Sequence, residues 1–450
     1  MRNSKFMNAL SLILVAAVII ALTACSGNNN NDKASPSASD KPSSSASAKP
    51  SESDEPKNDE PVTIKYTQFS GSGDNEKYLI QMKDAFEAKY DNITVEIETI
   101  PFGEYFTQMQ TRVAAGTAPD AYELNFENFV SYAKKGVLLD LAPFFDQTGF
   151  DKSSLNAQAL NAFQSDGVQY GMPASFSNVL LFYNKELFDK AGVGYPTNDW
   201  TWKEMDDAAA KIRALSDDTF GVFQPVQFWE FYKTVQQNGG SLFNADMTKF
   251  TFNSPENVAT LQHLADRLTK TNVMPTQAQL SGVGDWDLFK AGRLGMIVTG
   301  VWAFPDFVKN VPFEWDVAIE PGNVKKATHF FSNGLVINKE SKKAEAAFQW
   351  IQFMSASKEA AEIRVAANWE LPAVTDTAVL EAFLKTTPPN NRQAVFDSLE
   401  YLVTPPVIEQ FTEMTDIVGI HLTAASEGAK TPQQALDDAQ KELEEKITLK

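Results

Sequence analysis

The chain of 450 residues has one cysteine, three histidines and a deficit of basic side chains. Each shortage excludes a class of function. A single cysteine, Cys25, permits neither an intramolecular disulfide nor a Cys-rich zinc site. His263, His329 and His421 stand too far apart in sequence for a helical zinc-binding pair, so no metal is expected. GxSxG, P-loop and GxGxxG sequences are all missing, and no cofactor is expected. Lys and Arg number 39 against 58 Asp and Glu, a net charge of −19. That is the wrong sign for a nucleic-acid partner or for docking on anionic lipid. The composition, 43% apolar and 22% charged, is ordinary globular usage, which excludes collagen-like, wholly disordered and multi-span membrane chains.

The one long apolar run, Ala9 to Leu22, is broken only by Ser11 and follows Arg2 and Lys5. It falls short of the ~20 residues that a membrane-spanning helix needs. It reads as a secretory signal peptide over residues 1–24. The run ends Leu22-Thr23-Ala24-Cys25, which resembles a bacterial lipobox. The resemblance implies a lipidated Cys25 that anchors the protein at the outer face of the cell membrane. Residues 26–61 contain no large apolar side chain. Such a stretch cannot offset chain entropy by burial, so a disordered tether with a coil span of roughly 30–35 Å is expected over 25–61. A Ser/Pro-rich stalk behind a lipobox fits a Gram-positive surface lipoprotein.

The body reads as α/β. Val62-Thr63-Ile64-Lys65-Tyr66 alternates with period two, and Tyr78, Leu79, Met82, Ala85 and Phe86 recur at helical spacing. Ile93, Val95 and Ile97 alternate again, which makes a β-α-β unit with parallel strands. Thr201-x-x-Glu204 and Thr431-x-x-Gln434 fit capping boxes. Ser254-Pro255 and Ser341 open further helices. A body of this length exceeds one usual core, so two lobes are expected.

Several fragments carry a family resemblance. Ala114-Ala115-Gly116-Thr117-Ala118-Pro119-Asp120, Tyr132-Ala133-Lys134-Lys135-Gly136, and Tyr170-Gly171-Met172-Pro173 come first. Phe182-Tyr183-Asn184-Lys185, Phe289-Lys290-Ala291-Gly292 and Gly300-Val301-Trp302 follow. In this order and spacing the chain resembles the extracellular solute-binding proteins (family 1) of carbohydrate ABC transporters, the class that contains maltose-binding protein. The resemblance spans roughly residues 62–446. It implies a two-lobed periplasmic-binding-protein-like fold with a cleft between discontinuous lobes. Lobe one would be residues 62–174 plus 322–385, and lobe two 177–318 plus 390–450. It further implies a monomer that captures a carbohydrate, an oligosaccharide for preference, and delivers it to ABC permease subunits.

Sugars need flat aromatic faces for their C–H surfaces and planar polar groups for their hydroxyls. Trp302 stands where the family places a stacking tryptophan, and Trp229, with Gln227, where it has an aromatic beside an acid or amide. The alternative for both tryptophans is core packing. Asn125 and Glu127 follow a strand of lobe one and serve either ligand or helix capping. Leu124 stands where maltose-binding protein has tryptophan, which argues against maltose itself. Phe176 and Asn178 mark the first crossing, as ligand contacts or hinge spacers. Ser70 and Asp74 lie at a helix start, to bind ligand or to cap. Asn333, Trp369 and Glu370 complete the candidate ligand-binding set.

Two other readings stand beside the binding protein. A surface glycoside hydrolase or lyase would use an acid pair such as Asp285/Asp287 or Glu314/Asp316, which share a face if they lie on strands. The same fold could instead take a non-sugar solute. No catalytic residue is assigned, and the expectation is that the protein is not an enzyme.

Overall fold

The strand Val62–Gln68, the helix Glu76–Lys89 and the strand Ile93–Thr99 open the body of the chain. The computed structural model describes residues 60–449; the signal peptide, Cys25 and the tether up to residue 59 lie outside the described residues. The two strands pair in parallel, from Val62 opposite Ile93 to Gln68 opposite Thr99. Alternation turns Ile64 and Tyr66 inward, and the helix buries Leu79, Met82 and Phe86 against them.

Two sheets follow from such units. The larger has six strands, in the order Leu371–Pro372, Gly171–Ser177, Phe331–Ile337, Ala121–Asn125, Val62–Gln68 and Ile93–Thr99. The smaller has four, in the order Trp315–Ala318, Val179–Asn184, Leu294–Gly300 and Phe220–Phe223. Each is the sheet of one lobe in a mixed α/β fold. Three helices, Pro255–Thr269, Phe411–Ser426 and Pro432–Lys446, bury Leu261, Leu264, Met414, Leu436 and Leu443 in a common apolar cluster. Both capping boxes form, Thr201 with Glu204 and Thr431 with Gln434. The helix after Ser341 begins later, at Ala344, and the Ser341 hydroxyl donates to Asp120.

The chain crosses between the sheets at Asn178 and through residues 319–330, and a third crossing, residues 373–401, leads from the larger sheet to the helix Phe411–Ser426. The crossings are bonded to one another. Thr328 Oγ1 donates to the Val179 carbonyl at 2.6 Å, and Thr328–His329 pairs in parallel with Leu402–Val403. Asn178 Nδ2 donates to the Val395 carbonyl at 2.7 Å and to Ser398 Oγ at 2.9 Å. Among the described residues no helix is long and apolar enough to cross a membrane, and no group of acidic, His or Cys side chains could hold a metal ion.

Candidate ligand-binding cleft

A cavity of about 800 Å³ lies between the two sheets. Such clefts form where strands end and their loops diverge. Residues Phe69 to Asp74 leave the strand Val62–Gln68 at its carboxyl end, and Ser70 and Asp74 reach the cavity. Asn125 ends the next strand. Its Oδ1 caps the helix Phe126–Lys134 by accepting the Asn128 amide at 3.3 Å, and the residue lines the cavity as well. The capping alternative therefore holds, and the capping residue also lies at the cavity.

The floor is aromatic. The rings of Trp302 and Phe331 meet edge to face with centroids 5.0 Å apart, and Trp229 lies 6.2 Å beyond Phe331. Gly300 makes this possible. A Cβ there would fall 1.9 Å from the Trp302 ring, so only glycine lets the indole fold back over the end of its strand. Gln227 occupies the N-cap position of the helix Phe228–Gln237, yet its side chain makes no capping bond and stays exposed at the cavity.

The opposite wall is more deeply set. Asn333 Nδ2 donates to Glu370 Oε2 at 3.2 Å, and Ser175 Oγ donates to the same carboxylate. Trp369 is only 2% exposed, but what it covers is the buried guanidinium of Arg364, 4.3 Å from its ring. Thus a tryptophan between Asn and Glu is buried here and still lines the cavity.

Three expected contacts fall elsewhere. Phe176 packs its ring against Phe330, with 5% exposure, and belongs to the core. Asn178 has no exposure and donates both side-chain N–H groups to the third crossing, so it is a staple between crossings. Glu127 is fully buried beneath the floor, with Oε1 3.3 Å from His329 Nε2. His329 Nδ1 meets the Tyr232 hydroxyl, which also lies 3.2 Å from the Val403 carbonyl. One arrangement satisfies every donor: a protonated Glu127 donates to Nε2, Nδ1–H donates to Tyr232, and Tyr232 donates to the carbonyl. The environment agrees with it. Burial pushes the Glu127 carboxyl up to about 8, and burial with nearby Lys233 holds the His329 imidazole well below its ordinary range.

Phe69, Phe102, Phe331, Trp286 and Lys290 line the cavity without being among the expected ligand contacts, and Asp285, expected only as one of an acid pair, lines it from the short helix Asp285–Lys290. Trp286 lies between two aspartates, as Trp369 lies between Asn368 and Glu370. Asp285 and Asp287 are helical, so residues two apart do not share a face as they would on a strand. Asp316 is buried and accepts the Asn391 amide at 2.8 Å, while Glu314 is exposed, so neither acid pair is an aligned dyad.

The charges around the cavity are mostly matched. Lys290 joins Asp306 at 2.9 Å, and Lys309 bridges from the helix Phe304–Asn310 to Asp74 on the facing lobe. Glu230 meets Lys233 at 2.5 Å, and Lys233 meets Glu320 at 2.5 Å, with Lys233 wholly buried. Burial presses the Lys233 ammonium down, but the two carboxylates more than offset this and hold it charged. Such a cavity offers flat apolar faces and planar hydrogen-bonding groups side by side, with no surplus of positive charge.

Comparison with known proteins sharpens the picture. Residues 71–361 match the bacterial extracellular solute-binding proteins. An ABC substrate-binding protein of Listeria monocytogenes, solved in complex with cycloalternan, is 48% identical. That match covers 87% of this chain and 100% of the other, with a TM-score of 0.84. The cyclic alpha-maltosyl-1,6-maltose binding protein of Arthrobacter globiformis is 22% identical over 85% of this chain and 97% of its own, with a TM-score of 0.69, and shares the fold. The arabinooligosaccharide-binding protein of Bacillus subtilis is 23% identical over 84% of this chain and 92% of its own.

Proposed function

The chain belongs to the bacterial extracellular solute-binding proteins, and from that premise we propose that its cleft captures a neutral oligosaccharide and hands it, unaltered, to an ABC importer. The observation that carries this reading is that Trp229, Phe331 and Trp302 line one cavity together with Asn125, Asn333 and Gln227. Trp302 and Trp229 stack on sugar rings. The amides of Asn125, Asn333 and Gln227 and the carboxylate of Glu370 take the hydroxyls, and Ser70 and Asp74 lie at the rim. Uronic or phosphorylated sugars are disfavoured, because the wall carries Asp74, Glu230, Asp285, Asp306 and Glu370 against Lys290.

The lobes, residues 62–174 with 322–385 and 177–318 with 390–450, close by a hinge motion about the three crossings. Ligand touches both walls only in the closed form, so it shifts that equilibrium. Lipidation of Cys25 holds this monomeric receptor on the outer face of a Gram-positive membrane, near the permease.

The relative solved with cycloalternan supports that sugar as the first ligand to try. A thermal-shift screen of cycloalternan, linear maltooligosaccharides and arabinooligosaccharides tests the reading, followed by mass analysis of the recovered sugar. A raised melting temperature with intact sugar is expected, since a ligand of the native state stabilises it. No response to any sugar, or recovery of a cleaved one, overturns the reading.

A further inference from the structure

Arg392 is among the largest fully buried side chains of the protein, with no exposure. No salt bridge reaches it among the described residues, and its Nε and Nη1 have no hydrogen-bond partner. One group, Nη2, donates to Asn368 Oδ1 at 2.6 Å and to the Pro388 carbonyl at 3.0 Å. The guanidinium lies against two neighbouring rings, 4.9 Å from Phe304 and 4.8 Å from Phe383. A buried cation without an anion costs stability, and aromatic faces offset only part of that cost. A methionine would fill much of the same space at smaller cost. Keeping arginine here calls for something other than stability.

Its neighbours supply the reason. Asn368 immediately precedes Trp369 and Glu370 of the lobe-one wall. Phe304 begins the helix that carries Pro305 and Asp306 of the lobe-two wall, two residues after Trp302. The backbone beside Arg392 is itself fixed. Asn391 donates its amide to Asp316 Oδ1 and its side chain to the Val317 carbonyl at 3.0 Å, both on a lobe-two strand. Val395, three residues on, accepts from Asn178 at the first crossing. We propose that Arg392 is a positioning residue for ligand capture: one guanidinium, set on the third crossing, holds the Asn368–Glu370 wall in register with the Trp302–Asp306 wall. This rests on the cleft being the ligand site. Arg392 touches no ligand itself, and it acts through Asn368 and Phe304.

Asn368 gives the matching handle. It has a φ of 55°, which glycine adopts without strain. Asn368→Gly therefore removes the acceptor and leaves the backbone relaxed. The test uses the purified full chain with Arg392→Met, Arg392→Lys and Asn368→Gly, and two measurements. First, hydrogen exchange of residues 367–372 is followed without ligand. Arg392→Met and Asn368→Gly should speed it several-fold, while the melting temperature of Arg392→Met stays level or rises. Second, cycloalternan is titrated into each chain. Affinity should fall about tenfold in both, mainly through faster dissociation, and less in Arg392→Lys, which keeps the charge but loses the planar fork. Unchanged exchange at 367–372 overturns the proposal, as does a melting temperature of Arg392→Met that drops while affinity holds. A wild-type chain that ignores cycloalternan counts against that ligand, and the exchange result still decides the role of Arg392.

Discussion

Tyr232 and Lys233 are consecutive residues of one helix, and each closes a buried cluster beneath the cleft. On one side Glu127, His329 and Tyr232 form a relay in which every member is neutral. On the other, Glu230, Lys233 and Glu320 share a retained positive charge. Both bury a carboxyl group beside a nitrogen base. The base decides the outcome: an imidazole is weak enough to lose its proton on burial, whereas an ammonium between two carboxylates is not. Two ways of keeping an acid inside the protein thus support the same floor, under Trp229.

The sharpest way to break the comparison is Lys233→Met, which would leave Glu230 and Glu320 buried without their cation. A loss of about 3–5 kcal/mol in unfolding free energy is expected, measured by denaturant titration at neutral pH. An unchanged midpoint would mean the triad is not held by charge.

Glu127→Gln tests the neutral side. An acid whose folded value is raised from 4.5 to about 8 contributes stability fully below the lower value and loses it as pH rises through the upper one. His329, depressed from 6.5, contributes above 6.5 and loses its share as pH falls. The two slopes cancel between them and leave a decline above pH 6.5, of about 1.4 kcal/mol per pH unit at most. Glutamine can still donate to His329 Nε2 but does not titrate. The variant should lose the share of the decline between pH 6.5 and pH 8 that Glu127 contributes, while Glu320, raised to about 7, keeps its own. Parallel curves for the two chains would sink the relay.

Trp302→Ala and Trp229→Ala carry the comparison to the surface of the floor. Each should weaken sugar binding by about 1–3 kcal/mol, read by calorimetric titration. Trp229→Ala should also cost some stability, because its ring packs on Phe411 at 5.4 Å. The smallest effect belongs to Asp74→Asn. The Asp74–Lys309 pair is exposed on both sides, so any change in affinity should vanish in high salt.

Much of this was legible in the chain. Alternation marked the strands, Thr201 and Thr431 marked helix starts, and Trp302 and Trp229 were named from a family pattern. What misled was reading side chains without their partners. Asn178 looks like a polar contact until Val395 and Ser398 use its N–H groups, and they are more than 200 residues away. Glu127 sits two positions after Asn125 in sequence, but the helix that Asn125 caps turns it away from the cavity, toward His329. Trp286 carried a readable signal, a tryptophan between two aspartates, but the pair drew attention to catalysis instead. Arg392 gave no signal at all, because nothing local shows that a lone arginine will be fully enclosed.

The strand order has a consequence in time. Phe331–Ile337 lies between Ala121–Asn125 and Gly171–Ser177, so those two strands have no direct bond to each other. A chain growing from its N-terminus makes Val62–Gln68, Ile93–Thr99, Ala121–Asn125 and Gly171–Ser177 long before the strand that joins them, and Leu371–Pro372 only after it. The smaller sheet, built wholly from residues 179–318, can assemble first. The larger one must wait until residue 337 has emerged, which makes its pairing non-local and slow. In a protein of an extracellular family, this late strand acts as a delay: the larger sheet stays open at its centre until synthesis is well advanced.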